Sequence, residues 1–76
     1  MKELLIYIAQ NLVEHPEAVS VTEIAGASET ILELRVDPSD MGKVIGRQGR
    51  IAKAIRTVVK AASSKSNKKV IVDILQ

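Results

Sequence analysis

Apolar residues change their spacing along the chain, and each change marks an element. From 2 to 14, Leu4, Leu5, Ile8, Leu12 and Val13 recur at helical spacing. This predicts a helix that ends before Pro16, since the residue preceding a proline avoids helical backbone. A strand is expected over about 18 to 25, with Val19, Val21 and Ile24 as its apolar members. Its alternation is imperfect, as a β-bulge would make it. After the turn Ala25-Gly26-Ala27-Ser28-Glu29, residues Thr30 to Val36 alternate cleanly. Leu32, Leu34 and Val36 share one face there, and Glu33 and Arg35 the other. Asp37-Pro38-Ser39-Asp40 reads as a helix start, with Asp37 as N-cap and Pro38 in the first helical position. That short helix stops at Gly46. A second helix follows from Gly49 or Arg50 to Ser63. Its apolar stripe is Ile51, Ala54, Ile55, Val58, Val59 and Ala62, opposite Arg50, Lys53, Arg56 and Lys60. A polar loop from Ser63 to Lys68 leads to a last strand, Lys69 to Leu75.

The order is thus α-β-β-α-α-β. A short turn makes the first two strands antiparallel. The two-helix crossover is long enough to bring the third back parallel to the second, with right-handed connection. The expected architecture is a single α+β domain over residues 1–76. In it a three-stranded mixed sheet, in the order 1-2-3, is covered on one face by three helices.

Composition adds little until charge is divided along the chain. Tyr7 is the one aromatic residue, so the core must be aliphatic, and the absence of cysteine excludes disulfides and cysteine-held metals. No signal-peptide pattern opens the chain, and no apolar run nears the roughly 20 residues of a membrane span. The expected location is the cytoplasm. The net charge of +2 conceals two opposed halves. Residues 1–37 hold seven acids and two bases, a net of −5. Residues 38–76 hold nine bases and two acids, a net of +7. All nine bases lie between Lys43 and Lys69 with no acid among them. Such polarity attracts a polyanion to one side.

The candidate chemistry lies at the joint of the two helices, Val44-Ile45-Gly46-Arg47-Gln48-Gly49-Arg50-Ile51. Gly46 can take a positive φ at a helix end. Gly49 leaves room for another backbone beside the start of the next helix, whose free amides suit phosphate. Arg47 and Arg50 add charge that can grip phosphate with two donors at once.

This segment, in this element order, resembles the signature of the type II KH domain. With Ala52-Lys53-Ala54-Ile55-Arg56, and over the whole chain, it is similar to the small stand-alone bacterial KH proteins of the KhpA type. The resemblance implies a non-enzymatic RNA-binding protein whose G-x-x-G loop clamps about four nucleotides of single-stranded RNA. It also implies self-association as a homodimer, pairing with a larger KH-containing Jag-type partner, and a part in post-transcriptional regulation or RNA chaperoning. By position, Gly46, Arg47, Gln48 and Gly49 would form the clamp, with Arg50 and Lys53 beside it. Val44, Ile45 and Ile51 would form an apolar floor under the bases. The loop Ser63 to Lys68 would be the variable loop, and the third strand the opposite wall of the cleft.

Other residues read more plainly. His15 has no acid or nucleophile spaced to partner it and is expected to be exposed. Asp37, Asp40 and Asp73 have no evident partner base, no histidines have metal spacing, and no Walker lysine follows the glycines. Neither catalysis nor a cofactor is expected. Ile55 and Val58 are expected in the core. A helix-turn-helix DNA binder is the competing class, because a basic second helix could enter a major groove. In the first helix the apolar arc, with Ile6 included, spans about 200° where one sheet contact needs little more than 100°. That surplus points to a self-association surface. Ala52 and Val59, at the margin of the basic helix's stripe, offer a second location.

Overall fold

The computed structural model describes residues 1–75. It contains α1 (Lys2–Gln10), β1 (Ser20–Ala25), β2 (Glu29–Arg35), α2 (Met41–Ile45), α3 (Arg50–Ala62) and β3 (Lys69–Leu75), with single 3-10 turns at Pro16–Ala18, Pro38–Asp40 and Arg47–Gly49. The sheet order is β1-β2-β3, with β1 antiparallel and β3 parallel to β2. The expected α+β architecture is present, three helices and a three-stranded mixed sheet in the order α-β-β-α-α-β.

Local differences from the sequence expectations have physical causes. The first helix is shorter than 2–14. Asn11 caps it, with its side-chain Nδ2 donating to the Tyr7 carbonyl at 2.8 Å, and Leu12 and Val13 continue as a turn. Pro16 opens a 3-10 turn, where its fixed φ suits the first position, and β1 begins only at Ser20. No bulge interrupts β1, which pairs without a break from Ser20 opposite Arg35 to Ala25 opposite Thr30. The irregular alternation has another source: Val21 faces the core, whereas Ile24 lies on the other face and is 46% exposed.

Leu5 and Ala9 of α1, Val21, Leu32, Leu34 and Val72 of the sheet, and Ile55 and Val59 of α3 meet in one aliphatic core, with Val36 and Val44. The α3 stripe is rotated relative to the expected one. Ala52, Ile55 and Val59 are buried, while Val58, expected in the core, is 47% exposed. The structure thereby corrects the placing of Ala52 and Val59 at an association surface, because both side chains are sealed in the interior.

The start of α2 is held by two carboxylates. Asp37 caps the turn by accepting from the Ser39 amide at 2.9 Å and the Ser39 hydroxyl at 2.7 Å. Those bonds, the amide first, hold its carboxyl below the usual range. Asp40 is buried and accepts from the amides of Glu14 at 3.2 Å and His15 at 3.0 Å, and from His15 Nδ1 at 3.0 Å. His15 therefore has an acid partner, contrary to its expected isolation. The segment after α1 is tied to α2 by this cluster and by an ion pair from Lys43 Nζ to Glu14 Oε1 at 3.6 Å. His15 and Asp40 belong to connections 25 residues apart, which local spacing does not reveal.

Candidate nucleic-acid interface

Three backbone positions build the loop between α2 and α3. Gly46 has φ 76° and ψ 174°, a region that only glycine occupies comfortably. A β-carbon there would stand 2.6 Å from Ile51 Cγ1, so this glycine also permits the close approach of α3. Gln48 (φ 57°, ψ 26°) and Gly49 (φ 73°, ψ 15°) are both left-handed. For Gln48 this costs about 1 kcal/mol, a strain that concentrates at functional sites. A β-carbon on Gly49 would meet nothing within 4 Å. The loop is thus tight on its Gly46 side and open at Gly49, directly before the first turn of α3. Helix-start amides have no partner within their own helix and carry the positive end of the dipole.

Arg47, Gln48, Arg50 and Lys53 surround this opening and are exposed. Arg50 Nη2 donates to Gln48 Oε1 at 3.4 Å, a long bond that leaves the guanidinium mostly free. Among the described residues, Lys43 alone of the nine cations between Lys43 and Lys69 reaches a carboxylate within 4 Å. The other eight keep their charge available. Beyond the loop, a shallow groove runs between α3 and the outer edge of β3, lined by Arg56, Lys60, Lys69, Val70, Ile71 and Val72. Arg56 Nε donates across it to the Val72 carbonyl at 3.3 Å.

The expected floor residues do not lie together. Val44 is fully buried in the core, so its side chain offers no surface for a base. That correction follows from α2 having only one turn, in which Val44 is the fully buried position and Met41 packs partly on the core beside it. Ile45 is on the surface. Ile51 packs on the core and lines a different groove, an entirely apolar one between α1 and α3 with Leu4, Tyr7, Ile8, Leu12, Ala54, Ile55 and Val58. Arg56, Lys60 and Lys69 were not among the expected site residues, although the first two extend the Arg50–Lys53 face at helical spacing.

Comparison with known proteins agrees with the fold. Residues 2–74 match the family described as KhpA/KhpB, KH domain. The RNA-binding protein KhpA of Clostridium perfringens is 65% identical over 75 residues, covering 99% of this chain and all of that protein. The protein of the same name from Clostridium acetobutylicum is 61% identical over 75 residues, again 99% and 100% of the two chains. That from Aquifex aeolicus is 46% identical over 76 residues, 100% of this chain and 96% of the relative. No solved structure matches the chain. The end-to-end identity and the glycine-bracketed joint of α2 and α3 make this chain a member of the KhpA/KhpB family of KH domains.

Proposed function

We propose that the chain binds single-stranded RNA by laying the sugar–phosphate backbone over Gly46-Arg47-Gln48-Gly49, with the bases directed along the α3–β3 groove. The observation that carries this reading is the opening at Gly49, unobstructed beside the amides of a thirteen-residue helix and ringed by unpaired arginines. Phosphate is attracted by the helix start and held by Arg47 and Arg50. Arg56 and Lys60 neutralise further phosphates, while the apolar part of Val70 receives base edges. Such a grip reads backbone more than sequence. It suits a cytoplasmic post-transcriptional regulator or RNA chaperone, acting as a homodimer or with a larger KH-containing Jag-type partner. The curated relatives are named RNA-binding proteins, in line with this reading. A helix-turn-helix mode is disfavoured because α2 has five residues and α3 is flanked by the sheet edge.

Replacing Arg47 and Gln48 together by aspartate tests the clamp. Two carboxylates before the α3 start repel phosphate, and RNA affinity measured by fluorescence anisotropy should fall below detection while circular dichroism stays native. Unchanged affinity in the folded variant would refute the proposal.

A further inference from the structure

The helices cover one face of the sheet, and the open face holds a feature that RNA binding does not use. Strand register sets Ile24 of β1 opposite Ile31 of β2, and Ile31 opposite Ile71 of β3. All three lie on the face away from Val21, Leu32, Leu34 and Val72, and none packs on the core. They form an aliphatic row about 10 Å long across all three strands. One step along the strands, about 7 Å away, Glu33 stands directly opposite Asp73. Like charges so opposed destabilise a sheet. Arg35 Nη1 approaches Glu33 Oε1 at 3.8 Å, and among the described residues no cation lies within 4 Å of Asp73. An unpartnered apolar row beside two opposed acids, compensated only by the long Arg35–Glu33 pair, calls for a ligand that is both aliphatic and cationic.

We propose that this face docks a basic amphipathic helix of another protein, lying across the strands with aliphatic side chains on Ile24, Ile31 and Ile71. Its lysines or arginines reach Glu33 and Asp73. A helix rises 1.5 Å per residue, so aliphatics at i, i+3 or i+4, and i+7 span about 10 Å, the length of the row. The charge argument excludes RNA as the occupant, since Glu33 and Asp73 repel phosphate. It also separates the face from the basic loop at Gly46–Gly49, which stays free for RNA while the helix is bound.

A synthetic peptide of about 20 residues, with leucines at that spacing and lysines along the flanks, is the probe. The control peptide carries glutamate in place of lysine. The lysine peptide should shift the amide resonances of β1, β2 and β3, and the glutamate peptide should not. Ile24→Thr with Ile31→Thr keeps β-branching and should weaken the peptide at least about tenfold with RNA affinity unchanged. Glu33→Gln with Asp73→Asn leaves the apolar row intact and should weaken it several-fold while reducing its salt sensitivity. Equal affinity for the two peptides, or shifts confined to the α1–α3 groove, would overturn the proposal. So would RNA that shifts the Ile24 and Ile31 amides and weakens in the threonine variant, or a threonine variant of lower oligomeric mass, because each assigns the face to a different occupant.

Discussion

His15 and the buried Asp40 form a partly buried ionic contact that joins the connector after α1 to the start of the helix carrying the glycine loop. The bond to Asp40 raises the His15 pKa above its ordinary 6.5, against partial burial, with Asp37 and Glu17 adding to the attraction. Burial alone would raise Asp40, but the Glu14 amide and the two His15 donors outweigh it and hold the carboxyl below 3.8. A raised histidine contributes stability that is complete below pH 6.5 and is lost as pH climbs through its folded value. A depressed carboxyl contributes above its unfolded value and loses that as pH falls through its folded one. The pair therefore supports the fold most between about pH 4 and 6.5. The urea midpoint should decline from pH 6 to pH 8.5, and His15→Gln should flatten that decline. A wild-type profile flat over this range would show that the contact does not titrate with folding. The two glycines of the loop separate stability from binding at the same scale. Gly46→Ala meets both a glycine-only conformation and Ile51, and should cost at least about 2 kcal/mol. Gly49→Ala meets only left-handed strain, about 1 kcal/mol, yet its methyl occupies the opening. It should stay folded and lose RNA affinity more than about tenfold; wild-type affinity would mean that no RNA backbone passes over Gly49.

At the scale of elements, α1 and α3 each present more apolar surface than the sheet covers. Leu5 and Ala9 face the core, while Tyr7 is 66% exposed, and on α3 the exposed Val58 stands beside the same groove. The 3.6-residue period revealed an apolar stripe in each helix but not which flank a neighbour would cover. Hence β3 and the turn of Gly46 were readable residue by residue, whereas Val58 and Val59 exchange roles between expectation and structure. Topology was legible because turn lengths and crossover length restrict it to one arrangement. Val44 was not, because nothing local distinguishes a base-facing valine from the fully buried residue of a one-turn helix. These placements also move the test of self-association. Charge at Val59 would break the core, so the informative substitutions are Tyr7→Gln and Val58→Gln, whose sites are exposed and whose stability cost should stay within about 0.5 kcal/mol. If the groove between α1 and α3 joins two copies, sedimentation equilibrium at micromolar concentration should give more than the monomer mass for the wild type and the monomer mass for the double variant. A strictly monomeric wild type would count against self-association.

At the scale of the whole molecule, the opposed charges of the two halves of the sequence are folded into a body 35 Å long. Two acids of the first half lie beside cations of the second, Glu14 at Lys43 and Glu29 opposite Lys69. The cations left uncompensated are thus those of the loop and α3, and at physiological salt charges beyond about 8 Å act on them weakly. RNA approaching the basic side should sense that side almost alone. If the loop and α3 together neutralise about three phosphates, log K should fall against log salt with a slope of roughly −2, at about 0.7 per phosphate on a single strand. Arg50→Gln, which removes one cation beside Gly49, should make the slope shallower by about 0.7. Reversing charge at Glu29→Lys, on the open sheet face opposite Lys69 and outside the loop and α3, should change affinity less than about twofold at 0.15 M salt, because screening weakens charges that do not touch phosphate. The two variants have opposite expected effects on net charge and unequal effects on binding, which separates a local clamp from general attraction to a basic protein. A slope that follows net charge, with Glu29→Lys tightening RNA as much as Arg50→Gln weakens it, would mean that the protein acts as a diffuse polycation and that the glycine loop holds no phosphate.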